Sequence, residues 1–383
     1  MEDVHAAHPP GSWGAPNDRA TFLGVYDGHG GRLIADYLEE HLDDNVAMEW
    51  AYAESEQRKK QGEMMNDDGQ QQQQQSKKRR LGEGRNKENS SDNNNQSTKS
   101  KSEIFEQEGE IIQKALERAF LLTDMQSKMD GITTSGATVV CCVVIPKFSP
   151  NGKHLTSISI HAANAGDARA VLSSRTARPL QKLCSESSSN PTKKSSSTSS
   201  SNESSTLPNP ELPNELPIHH GTPAVRITHD HKSSDRKEIA RIEASGGIMI
   251  RGRVLGVLAV ARSLGDHGLK EYVIGRPYLS STMVRIQNDD SDLNDDDDAN
   301  ASEKEQSPTV LAATAPPFTD GEFLIVACDG LWDVMRDQEA VDFVRNHVNE
   351  HGKGSREKVA SFLIEEALRR GSADNITVIV YWL

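Results

Sequence analysis

The distribution of apolar and polar positions divides the chain into predicted strands and helices. Short apolar runs bounded by turn-forming residues predict strands at 21–26, 137–145, 155–163, 168–172, 246–250, 254–260, 323–328 and 376–382. Apolar residues that recur every three or four positions predict helices at 32–53, 104–122, 235–244, 337–350 and 355–370. The runs at 137–145 and 155–163 are apolar almost throughout, which indicates strands that are buried on both faces.

The order of these elements indicates the fold class. Several strands follow one another, and the helices come in pairs. A strict alternation of strand and helix would favour a doubly wound parallel sheet, and this order differs from it. The pattern therefore predicts an α+β fold in which sheets pack against helices.

Three polar segments interrupt the pattern. Residues 57–102 are rich in Gln, Asn, Lys and Ser, residues 184–222 in Ser and Pro, and residues 287–308 in Asp. Such compositions bury too little apolar surface to offset the cost of ordering the chain, so we expect three disordered inserts. The remaining residues suffice for one large domain or two small ones.

The charge distribution restricts the classes of partner. The net charge is −14, and seven aspartates between residues 289 and 298 supply half of it. No basic face is visible beyond the run Lys77-Lys78-Arg79-Arg80, so we expect no nucleic-acid binding. That run fits either a nuclear import signal or a solvated loop. No apolar stretch of 18 residues exists, which argues against a membrane span.

Cysteine usage indicates the cellular compartment. Cys141, Cys142, Cys184 and Cys328 form neither a metal-ligand spacing nor a disulfide framework. Adjacent Cys141 and Cys142 are expected on opposite faces of a strand. The first thirty residues lack a secretory signal pattern. We therefore expect a soluble protein of a reducing compartment, cytoplasmic, nuclear or both.

Aspartates fall where predicted strands end. Asp27 and Asp329 each follow an apolar run and precede a glycine, and Asp374 lies just before the last strand. A carboxylate at a buried strand end is costly unless it is paired or holds a cation. Several such ends together would form an oxygen-rich pocket that suits Mg²⁺ or Mn²⁺. The alternative is that each aspartate only forms a turn or caps a helix, since Asp-Gly is a common turn.

Eight motifs, in order, resemble those of the metal-dependent protein serine/threonine phosphatases of type 2C (the PPM family). They are Met1-Glu2-Asp3, the stretch 22–31 ending Asp27-Gly28-His29-Gly30-Gly31, Thr134-Ser135-Gly136-Ala137-Thr138, 163–170 with Gly166-Asp167, Thr228-His229-Asp230-His231-Lys232, 253–266 ending Gly265-Asp266, 327–334 with Asp329-Gly330-Leu331-Trp332-Asp333, and Ser372-Ala373-Asp374-Asn375-Ile376-Thr377. Together they span nearly the whole chain outside the inserts.

The resemblance implies a fold and an activity. It implies two packed antiparallel sheets flanked by pairs of helices, here as a single domain over 1–383. It implies hydrolysis of phosphoserine and phosphothreonine in protein substrates by a water that two Mn²⁺ or Mg²⁺ ions activate. We expect this protein to be a monomer.

The resemblance also assigns roles by position. Asp27 would bridge the two ions and the Gly28 carbonyl would ligate one, while Asp329 and Asp374 complete the second site. Glu2 and Asp3 would hold metal-bound water or ligate at the rim. A third, weaker ion would use Asp167 and Asp333 together with Asp329.

His29 is implied as the general acid for the leaving oxygen, a task that suits histidine at neutral pH. For Asp167 and Asp266 the alternative is that each satisfies backbone amides in a turn. For Asp333 the alternative is a cap on the helix beginning near residue 337.

One departure from the family concerns the N-terminus. The family carries a phosphate-binding arginine in a strand upstream of the Glu-Asp pair, and this sequence starts at Met1, so we expect an N-terminally shortened domain with an open sheet edge. Arg19 and Arg32 are nearby, but nothing assigns them the phosphate. Three hypotheses follow: an active phosphatase, a catalytically impaired family member that binds partners, and an unrelated acidic scaffold.

Overall fold

The computed structural model describes residues 1–80, 101–179, 222–286 and 321–383 of the 383-residue chain. The strands are β1 Val4–His8, β2 Thr21–His29, β3 Gly136–Phe148, β4 Leu155–Ala165, β5 Arg169–Ser173, β6 Arg178–Pro179, β7 Ala224–Arg226, β8 Met249–Ile250, β9 Arg253–Val254, β10 Leu264–Gly265, β11 Tyr278–Arg285, β12 Phe323–Ala327 and β13 Val378–Trp382. The helices are α1 Leu33–Arg80, α2 Lys101–Met129, α3 Arg236–Ala244, α4 Asp329–Trp332, α5 Asp337–His351 and α6 Val359–Arg369, with 3₁₀ turns at His267–Leu269 and Lys353–Lys358.

Two antiparallel sheets form the centre of the fold. The larger has the order β1-β2-β3-β4-β11-β6, with β10 pairing against the start of β3. The smaller has the order β13-β12-β5-β7. Strands β8 and β9 form a separate hairpin. The predicted α+β class is confirmed.

Side-chain alternation along the strands builds the layers. In β3, Cys141 packs in the cluster shared with α1 and α2, whereas Cys142 packs in the cluster between the two sheets. In β12, Leu324 faces the other sheet, and Ile325 faces the cluster formed with α5 and α6. Because successive strand residues point to opposite faces, an uninterrupted apolar run can serve two cores at once. The result is four layers, helix–sheet–sheet–helix.

Several boundaries differ from the predictions. Strand β2 continues through Asp27, Gly28 and His29, so the turn begins at Gly30. The run at 254–260 is not a strand beyond Val254, because it belongs to the tight turns around the β8–β9 hairpin. Strands β1, β6, β7, β10 and β11 were not predicted.

The first insert is partly helical. Helix α1, predicted to end at residue 53, continues to Arg80, and α2 begins at Lys101. Gln, Glu, Lys and Arg are good helix formers, so a composition that cannot build a core can still form a helix. Residues 81–100, nearly all of 184–222 with Cys184, and all of 287–308 lie outside the described residues. No described helix is long and apolar enough to cross a membrane.

Candidate active site

Strand pairing brings the motif aspartates to one end of the sandwich. Val4 pairs with Tyr26, which places Asp3 across from Asp27. Ala327 pairs with Val378, so Asp329 after β12 lies close to the segment that holds Asp374. The order of the strands thus joins residues that are more than 300 positions apart in sequence.

Two glycines allow the backbone segments of this end to approach. A Cβ at Gly28 would lie 2.5 Å from the carbonyl oxygen of Glu2, and a Cβ at Gly330 would overlap the carbonyl oxygen of Asn375. Both positions therefore need glycine for steric reasons. The Asp-Gly pairs do more than form turns, because each glycine allows two aspartate-bearing segments of the chain to pack closely.

The gathered carboxyl groups disfavour each other's ionisation. Burial, followed by the charges of Asp3, Asp329, Asp167 and Asp374, raises the pKa of Asp27 to about 9. Burial, followed by the charges of Asp167, Asp333 and Asp374, raises the pKa of Asp329 to about 7 against the opposing effect of Lys232. Like charges that share a site disfavour the ionised form of each group, and a cation bound among them would relieve that repulsion.

Two buried oxygens in this cluster have no hydrogen-bond partner. Asp3 is buried, its Oδ2 accepts a hydrogen bond of 2.8 Å from the Thr377 hydroxyl, and its Oδ1 accepts none. Oδ1 of Asp167 is also buried without a partner. An unsatisfied buried oxygen is costly, and a divalent cation or its water shell would satisfy it. The donor set, all carboxylate and carbonyl oxygen, fits Mg²⁺ or Mn²⁺.

The side chains are nevertheless not arranged as a closed ligand set. Within the described ranges, no group of three or more His, Cys, Asp or Glu side chains is placed so that it could hold a metal ion. Asp374 is exposed, and its Oδ1 accepts a hydrogen bond from the neighbouring Asn375 amide at 2.7 Å. The ligand roles of Asp27, Gly28, Asp329, Asp374, Glu2 and Asp3 therefore stay predictions.

A lysine lies beside the aspartates predicted to bind a third ion. Lys232 Nζ is 2.7 Å from Asp333 Oδ1 and 3.6 Å from Asp167 Oδ2. Burial raises the pKa of Asp167 in spite of this cation. The alternative role of Asp333 as a cap on the helix that begins at Asp337 is wrong, because Arg336 is the N-cap residue of that helix, α5.

His29, at the end of β2, contacts Asp266, and the sequence analysis did not predict this contact. Its Nε2 lies 2.7 Å from Asp266 Oδ2, and the Ser263 hydroxyl donates a 2.5 Å hydrogen bond to the same oxygen. The Asp266 carboxylate therefore contacts two side chains, which the interpretation as a turn residue did not include. Nothing in the sequence could have signalled this pair, since its members are 237 positions apart.

The two nearby arginines are engaged elsewhere. Arg19 packs its guanidinium over the Phe148 ring, at the opposite end of β2 from Asp27. Arg32 forms a 2.6 Å ion pair with Asp36 one turn later in α1.

The chain is similar to one protein family over most of its length. The family described as Protein phosphatase 2C matches residues 63–186, 218–293 and 300–376. Protein phosphatase 2C homolog 1 of Schizosaccharomyces pombe is 41% identical over 157 residues, which are 41% of this chain and 34% of that protein. Probable protein phosphatase 2C 22 of Arabidopsis thaliana is 30% identical over 276 residues, which are 71% of this chain and 50% of that protein. The chain thus spans half or less of the length of these relatives.

Solved structures share the fold. A phosphatase from a pathogenic strain of Toxoplasma gondii is 16% identical and matches with a TM-score of 0.54 over 100% of this chain and 88% of that one. A sex determining protein of C. elegans is 18% identical, with a TM-score of 0.53 over 100% of this chain and 61% of that one. Identities this low indicate a common fold alone.

Proposed function

Because this chain belongs to the protein phosphatase 2C family, we propose that it hydrolyses phosphoserine and phosphothreonine in proteins with divalent cations held at the aspartate cluster. The observation that carries the proposal is Asp27. Its carboxyl group is largely buried among four other aspartates, and its pKa is raised to about 9. Strongly perturbed pKa values are typical of functional sites, and a bound cation would neutralise this cluster of carboxylates.

The proposed ligands follow the positions of the cluster. Asp27 and the Gly28 carbonyl, with Asp329 and Asp374, would hold two ions, Mn²⁺ or Mg²⁺. Glu2 and Asp3 would hold the water at the rim, and Asp167 with Asp333 would bind a weaker third ion. Cations bound there would supply an activated water and neutralise the charge that develops on the phosphoryl oxygens.

His29 has the position of a proton donor. Residues two apart on a strand share a face, so the His29 side chain projects from the same face of β2 as that of Asp27. As water attacks phosphorus, the bond from phosphorus to the seryl or threonyl oxygen breaks, and that oxygen takes a proton from the imidazole. The products are inorganic phosphate and the free hydroxyl side chain.

Hydrolysis of a phosphothreonine peptide by the full chain tests the proposal. We expect activity with Mn²⁺, none with EDTA, and a loss of about 100-fold or more in Asp27→Asn, since metal stabilisation of the transition state is worth several kcal/mol. Asp18→Asn, which changes an exposed aspartate of a loop, is the matched control and should match the wild type.

Two results would contradict the proposal in different ways. A chain that binds Mn²⁺ yet hydrolyses nothing would support the alternative of an impaired family member that acts by binding. A chain that neither binds Mn²⁺ nor hydrolyses the peptide would support the unrelated acidic scaffold.

A further inference from the structure

The contact between His29 and Asp266 is the starting point of a further inference, which rests on the proposed function. His29 Nε2 and Asp266 Oδ2 are 2.7 Å apart, and the two side chains are 31% and 10% exposed. Burial raises the pKa of Asp266, but the hydrogen bonds from His29 and Ser263 outweigh it and leave that pKa below its ordinary range. An ionised carboxylate can only accept, so Nε2 of His29 carries the shared hydrogen.

The backbone holds Asp266 in an unusual conformation. Its φ is +47° and its ψ +38°, in the left-handed region that aspartate tolerates better than most residues. The amide of Asp266 donates a 3.0 Å hydrogen bond to the Ser135 carbonyl. The orientation of the Asp266 carboxylate is therefore fixed both by its own backbone and by the hydrogen bond from the Ser263 hydroxyl.

A second layer of contacts holds the loop that carries Asp266. Asp124 of α2 accepts a 2.8 Å hydrogen bond from the Gly265 amide and a 3.0 Å hydrogen bond from Lys270 Nζ. Lys270 also donates to the Ser263 carbonyl at 3.0 Å. The lysine and the Asp124 carboxylate thus fasten both sides of the Asp266 turn to a helix of the outer layer.

Gly136 provides the space in which the pair meets. In the register of β2 and β3, His29 lies opposite Gly136. A Cβ at Gly136 would overlap both Asp266 Oδ2 and His29 Nε2. Any larger residue at this position would separate the imidazole from the carboxylate, so the glycine preserves the contact.

We propose that Asp266 is a positioning residue for His29, which fixes the imidazole ring through Nε2 and leaves Nδ1 as the nitrogen that donates the proton. In the step, the protonated ring transfers its Nδ1 hydrogen to the leaving oxygen as the phosphorus–oxygen bond breaks, while the other hydrogen stays on Nε2 and is donated to the Asp266 carboxylate. The ring ends neutral, and the attacking water releases its own proton to solvent.

The competing explanation is that the pair only ties β2 to the loop after β10. The two explanations differ in how the effect of a substitution depends on the leaving group. A seryl or threonyl oxygen needs a proton when it leaves, whereas the nitrophenolate of p-nitrophenyl phosphate does not. Loss of a positioned acid slows only the first kind of substrate, and loss of structure slows both.

The experiment compares kcat for a phosphothreonine peptide and for p-nitrophenyl phosphate, with Mn²⁺, in the full chain. We expect Asp266→Ala and Gly136→Ala to lower the peptide kcat by about 10- to 100-fold, part of the 10²–10⁴ that general acids contribute, and to change the p-nitrophenyl phosphate kcat by less than about threefold. For His29→Asn we likewise expect a much larger loss of kcat on the peptide than on p-nitrophenyl phosphate. The double variant His29→Asn/Asp266→Ala should be no slower than His29→Asn alone, because residues that act as a unit are not additive.

A matched control is available at another His–Asp contact, between strand β1 and helix α1. His8 Nε2 and Asp43 Oδ2 form another His–Asp contact at 3.2 Å, at the far end of β1 from Asp3. Asp43→Asn should leave the ratio of the two activities unchanged. Equal losses on both substrates in Asp266→Ala, or additive losses in the double variant, would overturn the inference while the proposed function stands. A wild-type chain that hydrolyses neither substrate would overturn both.

A spectroscopic readout does not depend on activity. Nitrogen-15 NMR of the imidazole groups distinguishes the neutral ring protonated on Nε2 from the one protonated on Nδ1. We expect the Nε2–H form for His29 in the wild type and a mixture of both forms in Asp266→Ala. A wild-type His29 in the Nδ1–H form would contradict the proposed contact.

Discussion

Replacing Asp27 by Asn should stabilise the metal-free protein while it abolishes the site. Asp27 has its pKa raised from 3.8 to about 9, first by burial and then by the charges of Asp3, Asp329, Asp167 and Asp374. The folded chain therefore keeps a proton that the unfolded chain releases. Stability from this group is complete below pH 4 and declines as the pH rises towards 9.

The magnitude follows from the width of that pH window. Between the unfolded pKa of 3.8 and pH 7, the loss amounts to about 4 kcal/mol for an isolated group. The aspartates around Asp27 share the repulsion, so we expect Asp27→Asn to raise the free energy of unfolding at pH 7 by roughly 2–4 kcal/mol. The gain vanishes near pH 4, because the Asp27 carboxyl is protonated in the folded protein there and, like the amide, carries no charge that must be desolvated.

Urea unfolding in EDTA at pH 5, 6, 7 and 8 measures this effect, with Asp18→Asn as the control for loss of one exposed negative charge. Added Mn²⁺ should reverse the order, because a cation that binds only the folded state stabilises the wild type. An Asp27→Asn protein that is less stable than the wild type in EDTA, or whose stability has the same pH dependence as the wild type, would contradict this prediction.

Three further predictions concern other parts of the molecule. Burial, aided by the charge of Lys147, lowers the pKa of His161 to about 3. As the pH falls from 6.5 to 4, the unfolded chain binds a proton at this histidine that the folded chain does not, so the wild type should lose about 2–3 kcal/mol of stability. In His161→Phe the free energy of unfolding in urea should depend less on pH over this range, and an unchanged pH dependence would contradict the prediction. Gly330→Ala places a Cβ against a carbonyl of the opposite segment, so calorimetry should show Mn²⁺ affinity reduced by about tenfold or more, as for a disturbed outer shell, whereas Gly354→Ala, at a glycine with open space, should bind normally. Thr377→Val removes the 2.8 Å hydrogen bond to Asp3 Oδ2 and should cost about 1 kcal/mol in urea unfolding; a cost near zero would mean that water replaces the hydroxyl.

The long strands could be predicted from sequence because they are buried on both faces. The runs that became β3 and β12 are apolar in nearly every position, and the two-sided packing of Cys141 and Cys142 follows from the period of a strand. Short strands such as β8 and β10 have two residues each, too few to show a period. Their formation depends on partners far away in sequence.

The residues of the candidate site also fall into two groups, those that local sequence predicts and those that it does not. Asp27 and Asp329 stand out locally, since each is a charged residue next to an apolar run and a glycine. Asp266 does not, because its role depends on an imidazole that arrives from β2. The position of Lys232 beside Asp333 likewise depends on tertiary packing. Residues whose chemistry conflicts with their local surroundings can be predicted from the sequence, whereas residues whose role depends on a distant contact cannot.

A crystal structure with Mn²⁺ tests the proposed metal site most directly, because the anomalous scattering of manganese distinguishes the ion from water and lighter atoms. We expect anomalous peaks between Asp27, the Gly28 carbonyl, Asp329 and Asp374, with Asp374 turned away from the Asn375 amide that it now contacts. The same crystals of Asp27→Asn should lack these peaks. Manganese bound elsewhere, with the aspartate cluster unchanged, would contradict the proposed site.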